Sequence, residues 1–470
     1  MNRKHIVTAL LASIIQLVVF KLLYPYADYF SDSYSYISAA QMGLDVSIWP
    51  IGYSKFLSLF HHITTSDTAV VAFQYLLLQG VLFYLLHTII QYFAPAPWVV
   101  KALFICFFFN PLHLYLSNYI SSDALFLSVS LLWAIQLLQL IQRPAISIIF
   151  LHALLIVIAF TLRYNAMYYP LVSMIAYLLS HLKPAVKVAG IILPLLLITA
   201  FVIHTRNQSR ALTGHAQFSV FGGWQLANNA FYMYPFIKVT ATPPAGTEEF
   251  DKEVHKYFDS IPEQLKHVSP TQGAFYIKYP YAPLKYFLSL KAPGITDTTA
   301  GFQSWGAVAP VYGSYGSFLI KHHPFAFARY FLLPNTFNYF LPPLEKLEVY
   351  NTGANTVSQS AVHWFRYRSQ EVKAISWTAQ GWILMLFPML FMALNLYTIW
   401  TLIRWVATRR LRSPDPLFEK CLWLMVILLA ANAGFSILAS PIVFRYQVFP
   451  MIICFIFLLI MSEKLLQLKV

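Results

Sequence analysis

About ten stretches of this chain are each roughly twenty residues long, apolar and nearly free of charge, the length a helix needs to cross the hydrocarbon core of a bilayer. They lie at 6–23, 69–92, 98–116, 123–141, 145–162, 166–182, 186–204, 377–405, 417–439 and 446–466. The fifth and sixth are separated only by Arg163, Tyr164 and Asn165. Backbone that enters lipid must satisfy its own hydrogen bonds, so the expectation is an all-α polytopic membrane protein. Composition agrees: 58% of residues are hydrophobic and 11% charged, where a soluble domain carries roughly 25% charge. A soluble fold has no interior large enough for that much apolar surface.

Length alone would suggest several domains, but apolar segments run through both ends of the chain. The simpler division is a membrane module at 1–204, an inserted domain at 205–375 and a three-helix membrane module at 376–470. The formal charge of +14 does not point to nucleic acid, because the basic residues stand singly among apolar runs and form no stripe. The cysteines, Cys106, Cys421 and Cys454, all sit in apolar segments and offer neither a disulfide framework nor zinc spacing. The first apolar run looks like a secretion signal, but no small-residue cleavage site follows it, and it is read as a retained helix.

Charge sets the expected orientation. With the N-terminus in the cytoplasm, the inner segments hold Arg3, Lys4, Lys101, Arg143, Lys183, Lys187, the cluster Arg404, Arg409, Arg410 and Arg412, and then Lys420, Lys464 and Lys469. Every acid before residue 205, namely Asp28, Asp32, Asp45, Asp67 and Asp123, then falls outside. Both termini are expected in the cytoplasm, in a bacterial inner membrane, with carboxylate chemistry on the outer face. Two outer regions interrupt the spans. The first, 24–68, carries two short helical patterns around the turn Trp49-Pro50-Ile51-Gly52 and is expected to lie along the membrane surface. The second, 205–375, reads as a mixed, largely irregular domain, with an apolar piece at 325–341 broken by Pro334.

Five local patterns occur in order, each at the outer end of an expected helix. They are Phe30-Ser31-Asp32-Ser33-Tyr34-Ser35-Tyr36 with Ala39 and Ala40; Trp49-Pro50-Ile51-Gly52-Tyr53; Ser121-Ser122-Asp123-Ala124-Leu125-Phe126; Thr161-Leu162-Arg163-Tyr164-Asn165-Ala166; and Phe444-Arg445-Tyr446-Gln447-Val448-Phe449-Pro450. Together they resemble the GT-C superfamily of membrane glycosyltransferases, nearest the protein O-mannosyltransferase and lipid A aminoarabinose transferase group. The resemblance covers the first half of the chain and a short piece near the end. It departs where Asp123 stands for a more usual Glu and where Tyr164, not Pro, follows Arg163.

The resemblance implies a seven-helix module whose first outer loop bears two surface helices, and transfer of a sugar from a polyprenyl-phosphate donor to a glycan, lipid or protein acceptor. Asp32 is then the candidate base, against its alternative as an acid at a helix start. Asp123 orients the acceptor, shares a metal with Asp32, or caps its helix. Arg163 and Arg445 are candidate phosphate binders, with snorkelling to headgroups as the alternative. Tyr36 and Tyr446 join them as substrate-binding candidates from the same motifs. Lys55, Arg206 and Arg210 are secondary cations, more simply read as surface charges. His113 could hold an acceptor or packs between helices; His152 and Asp28 are read as structural and as a solvated interfacial acid. The stretch Gly222-Gly223-Trp224-Gln225 with Asn228 and Asn229 is a turn by default, or touches the sugar. No cofactor is certain and a divalent cation stays open. A transporter or flippase, or a non-catalytic envelope-assembly protein, is the alternative reading, although no repeated halves and no midplane charges are visible.

Overall fold

The computed structural model describes residues 3–292, 298–408 and 415–469. Arg409, Arg410 and Arg412 of the expected cytoplasmic cluster lie outside the described residues. Among the described residues the chain is helical, and the only extended pairings are isolated bridges between Asp28 and Tyr119 and between Thr356 and Glu371.

Seven helices are long and apolar enough to cross a membrane: Asp67–Phe93, Pro97–Asn118, Asp123–Gln142, Pro184–Thr213, Ala379–Ala407, Pro416–Ala439 and Phe444–Leu466. Val7–Leu23 and Ile148–Leu162 are shorter apolar helices. The chain is thus a helical membrane protein, with its boundaries set by local chemistry. Ser66 Oγ accepts from Ala69 N–H to open the first long helix, and prolines at Pro97, Pro184 and Pro416 occupy first-turn positions where no donor is missed.

Two expectations change here. The run 98–116 is broken at Phe109, and Asn110 restarts it by accepting from Leu112 N–H ahead of Pro111. The expected sixth span, 166–182, is a 3-10 turn, Tyr164–Tyr168, leading into an α-helix of only 11 residues, Tyr169–Leu179. At 1.5 Å per residue that helix is about 16 Å long, half a hydrocarbon core.

The inserted region is not largely irregular. Pro184–Thr213 runs on past residue 204 until Gly214, at φ 76°, closes it. Val220–Phe231 and Thr298–His322 then cross at bare backbone: a Cβ on Gly223 would strike Ala309, and one on Gly316 would strike Ala227. Gly223, expected in a turn, is instead a contact point between helices, as is Gly316. The segment at 325–341 is Pro324–Phe327, a π turn and Leu333–Phe340, with Phe325 and Phe337 exposed. Buried Asn335 fastens it to the end of Pro416–Ala439 through the carbonyls of Ile437 and Ser440, each at 2.8 Å.

The buried apolar residues form two cores. One runs through the membrane helices and takes in the first outer loop together with Leu344, Leu347, Tyr350, Trp364 and Val372. The other unites residues from Val220 to Phe331 and reaches back to Val46 of the first loop. The region 205–375 therefore divides its apolar residues between a helical body of its own and a strap packed on the membrane helices. Asp28 fixes that strap. Expected as a solvated acid, it is 1% exposed and accepts from Asn351 N–H at 2.8 Å.

Candidate active site

Five helix ends and turns meet at the junction of these two cores. Asp32 is the second residue of Ser31–Gln41, whose start is tightened by Ser33 Oγ accepting from Phe30 N–H at 3.2 Å. Asp123 opens Asp123–Gln142; Arg163 leaves Ile148–Leu162 in extended backbone; Arg445 lies in the 3-10 turn Phe444–Gln447 that starts the last long helix. The fifth is the 3-10 turn Glu345–Leu347 of the strap, which supplies Glu345 and Lys346.

Asp123 is the hub of the guanidinium pair. Arg163 Nη1 pairs with its Oδ1, Arg445 Nη1 donates to its Oδ2 at 2.8 Å, and Ser121 Oγ donates to the same Oδ2. Its side chain is 3% exposed and that of Arg445 6%. Two buried cations on one buried carboxylate leave a net positive charge, which is what an anion site needs. Tyr446 lies against both arginines, with Arg163 4.5 Å and Arg445 4.7 Å from its ring centre, and its hydroxyl accepts from Arg445 Nη2 at 2.9 Å. Both guanidinium groups are turned inward onto Asp123.

Asp32 has a different setting. Its Oδ2 accepts from Lys346 Nζ at 3.0 Å, its Oδ1 from Ser31 Oγ at 3.2 Å, and Arg445 Nη2 stands 4.0 Å away. Lys346 in turn lies 3.8 Å above the Phe30 ring. Burial lowers the Lys346 ammonium below its usual value more than Asp32 raises it. Glu345 sits in the left-handed region at φ 54°, a conformation costly for a side chain other than glycine. It pairs with Lys278 through Oε1, while its Oε2 and Arg445 Nε, 3.8 Å apart, are both buried without a hydrogen bond. Burial alone would raise the Glu345 carboxyl, but Arg445, Lys278 and Lys346 hold it below its usual value.

Most of these groups border one cavity of about 740 Å³, although Asp123 does not line it. Asp32, Tyr36, Arg163, Arg445 and Tyr446 line it together with Lys278, Glu345 and Lys346. Tyr36 is anchored by a hydroxyl contact to Ser122 Oγ at 3.3 Å. Gly222, Gln225 and Asn229 also line it, from the helix Val220–Phe231 rather than from a turn. Phe435 and the exposed Leu438, both on Pro416–Ala439, bring an apolar edge.

Four candidates lie elsewhere, Lys55, His113, Arg206 and Arg210, none of which lines the cavity. Lys55 makes an exposed pair with Asp45 at 2.6 Å, away from the cavity lining. His113 is fully buried with its Nδ1 3.1 Å from the Phe107 carbonyl, and does not line the cavity. His152 bonds Gln136 and Ser173 inside the helices. Sequence reasoning missed Lys346, Glu345, Lys278 and Lys285: Lys346 stands 314 residues from Asp32, and no local pattern marks it.

Among the described residues no three His, Cys, Asp or Glu side chains come together as a metal site. A cation shared by Asp32 and Asp123 does not fit the arrangement, because the Arg445 guanidinium already lies between the two carboxylates. No family model, curated protein or solved structure matches the chain.

Proposed function

We propose that this protein is a membrane glycosyltransferase of the GT-C type, moving a sugar from a polyprenyl-phosphate donor to an acceptor at the extracytoplasmic face. The carrying observation is Arg445: a buried guanidinium on the cavity wall, held by Asp123, with Arg163 and Lys346 nearby and its Nε 3.8 Å from Glu345 Oε2 without a hydrogen bond. A phosphate entering the cavity meets this cluster of cations, whose charged donors suit its oxygens. The apolar edge at Phe435 and Leu438 gives a prenyl chain a route into the bilayer beside that phosphate.

The chemistry divides between two sets of residues. The bond between the anomeric carbon and the phosphate oxygen breaks, and the charge left on the phosphate is stabilised by Arg163, Arg445 and Lys346. Asp32 takes the proton from the acceptor hydroxyl or amine as the new bond forms on the opposite face of the sugar, inverting it. In the resting arrangement Lys346 holds Asp32 by an ion pair. Phosphate entry draws Lys346 to itself, and Asp32 is released to face the acceptor. Asp123 acts by positioning, since both its oxygens are engaged by the arginines. The orientation follows from the basic residues assigned to the opposite side.

Binding of polyprenyl phosphate to the purified chain tests the donor site, supported by mass spectrometry of lipids that co-purify with it. Arg163→Gln and Arg445→Gln should each weaken binding by about 10- to 100-fold, the loss of a charge-assisted bond of roughly 1.5–3 kcal/mol. Unchanged affinity in both variants removes the arginines from donor recognition.

A further inference from the structure

The cavity has a second wall that the transfer step above does not use. Trp49 from the first outer loop, Phe221, Trp305 and Lys285 all line it. Their rings form a connected surface: Trp49 and Phe221 have centroids 4.5 Å apart, and Phe221 and Trp305 lie 6.5 Å apart and within 15° of parallel. Trp224, fully buried, stacks on one face of Trp305 at 3.9 Å. The ring is thereby fixed from behind, and its remaining surface is what the cavity sees.

Lys285 stands at the edge of that stack, with Nζ 4.2 Å from the centre of Trp305 and 5.5 Å from that of Trp224. Among the described residues no carboxylate pairs with it, and burial pushes its ammonium down to about 8. Aromatic faces attract a cation, but they do not replace the counter-ion or the water it has lost. An anion is the missing partner. The flat rings meanwhile suit the apolar C–H face of a pyranose, and the amides of Gln225 and Asn229 on the same cavity can meet its hydroxyls.

We propose that this wall is the acceptor subsite and that it takes an acidic sugar, a pyranose whose ring stacks on Trp305 and whose anionic substituent sits against Lys285. Calling it the acceptor side rests on the transfer reading; binding of an acidic sugar there does not. The anion can be a carboxylate or a phosphate ester, and the two are separated by experiment.

The test is equilibrium binding of glucuronate, glucose 6-phosphate and glucose to the full-length protein in lipid nanodiscs, with inorganic phosphate as a competitor. At least one acidic sugar should bind about tenfold or more tightly than glucose, from the charge-assisted contact. Which of the two binds better identifies the anion. Lys285→Met should erase that preference, Lys285→Arg should keep it, and Trp305→Phe, which preserves a ring and the fold, should weaken all three sugars. Equal binding of acidic and neutral sugars, a preference that survives Lys285→Met, displacement by inorganic phosphate as strong as by the sugars, or no saturable sugar binding overturns the subsite. Polyprenyl phosphate measured on the same samples should bind wild type and Lys285→Met alike. Failure of that lipid to bind wild type sinks the donor reading and leaves the acidic-sugar site standing; the converse result sinks the site alone.

Discussion

Asp32 and Asp123 each sit in the first turn of a helix, on either side of Arg445, yet the two carboxylates live differently. Asp123 is sealed, with both oxygens held by guanidinium groups and a serine hydroxyl. Asp32 faces the cavity and is held by one lysine, a serine hydroxyl and a distant arginine contact. Position at a helix start is common to both and explains neither role. What separates them is what fills the remaining lone pairs: a carboxylate saturated by fixed cations organises charge, whereas one shared with a flexible lysine stem can exchange its partner.

The largest effect that would test this contrast is on stability. Asp123→Asn strands two buried guanidinium groups without their anion, and unfolding of the purified protein should show a loss of about 3–5 kcal/mol. Asp32→Asn, by contrast, keeps a neutral acceptor for a single lysine and should cost less, about 1–2 kcal/mol. Comparable small losses in both would erase the distinction drawn here. The next effect is on rate. Asp32→Asn should insert, bind polyprenyl phosphate and lose sugar transfer by on the order of a hundredfold or more. Transfer at a near-normal rate would take Asp32 out of the mechanism.

A third carboxylate sharpens the comparison with a pH-dependent effect. Asp28 is buried without a cation, and burial raises its carboxyl from 3.8 to about 8. Between those two values the folded protein keeps a proton that the unfolded chain has released, so this group's contribution is full at the acid end and is lost as pH rises towards 8. Thermal unfolding of wild type across that window should therefore decline more steeply than that of Asp28→Asn, which retains an acceptor for Asn351 N–H. Parallel curves would mean that Asp28 is ionised in the folded state.

The membrane helices were legible because twenty apolar residues in a row have few alternatives. The weak place was equally physical: Tyr169–Leu179 is short, and Arg163 to Asn165 before it carry the chain across the site. Asp32, Asp123, Arg163 and Arg445 could be picked out because each falls in a short pattern that resembles the GT-C motifs, at the end of an expected helix. Lys346 and Lys285 could not, since each is a single lysine outside any recognisable pattern and gains its meaning from partners far away in sequence. The helical body from Val220 to Phe331 was misread for a related reason. Gly223 and Gly316 serve close packing between helices, and nothing local distinguishes such a glycine from one in a turn.

Glu345 carries a consequence for anyone who would engineer this protein. A glycine there would relax the left-handed backbone, but it would also remove the carboxylate that offsets the charge of Lys278 and Arg445. Backbone strain and charge balance therefore pull this one position in opposite directions.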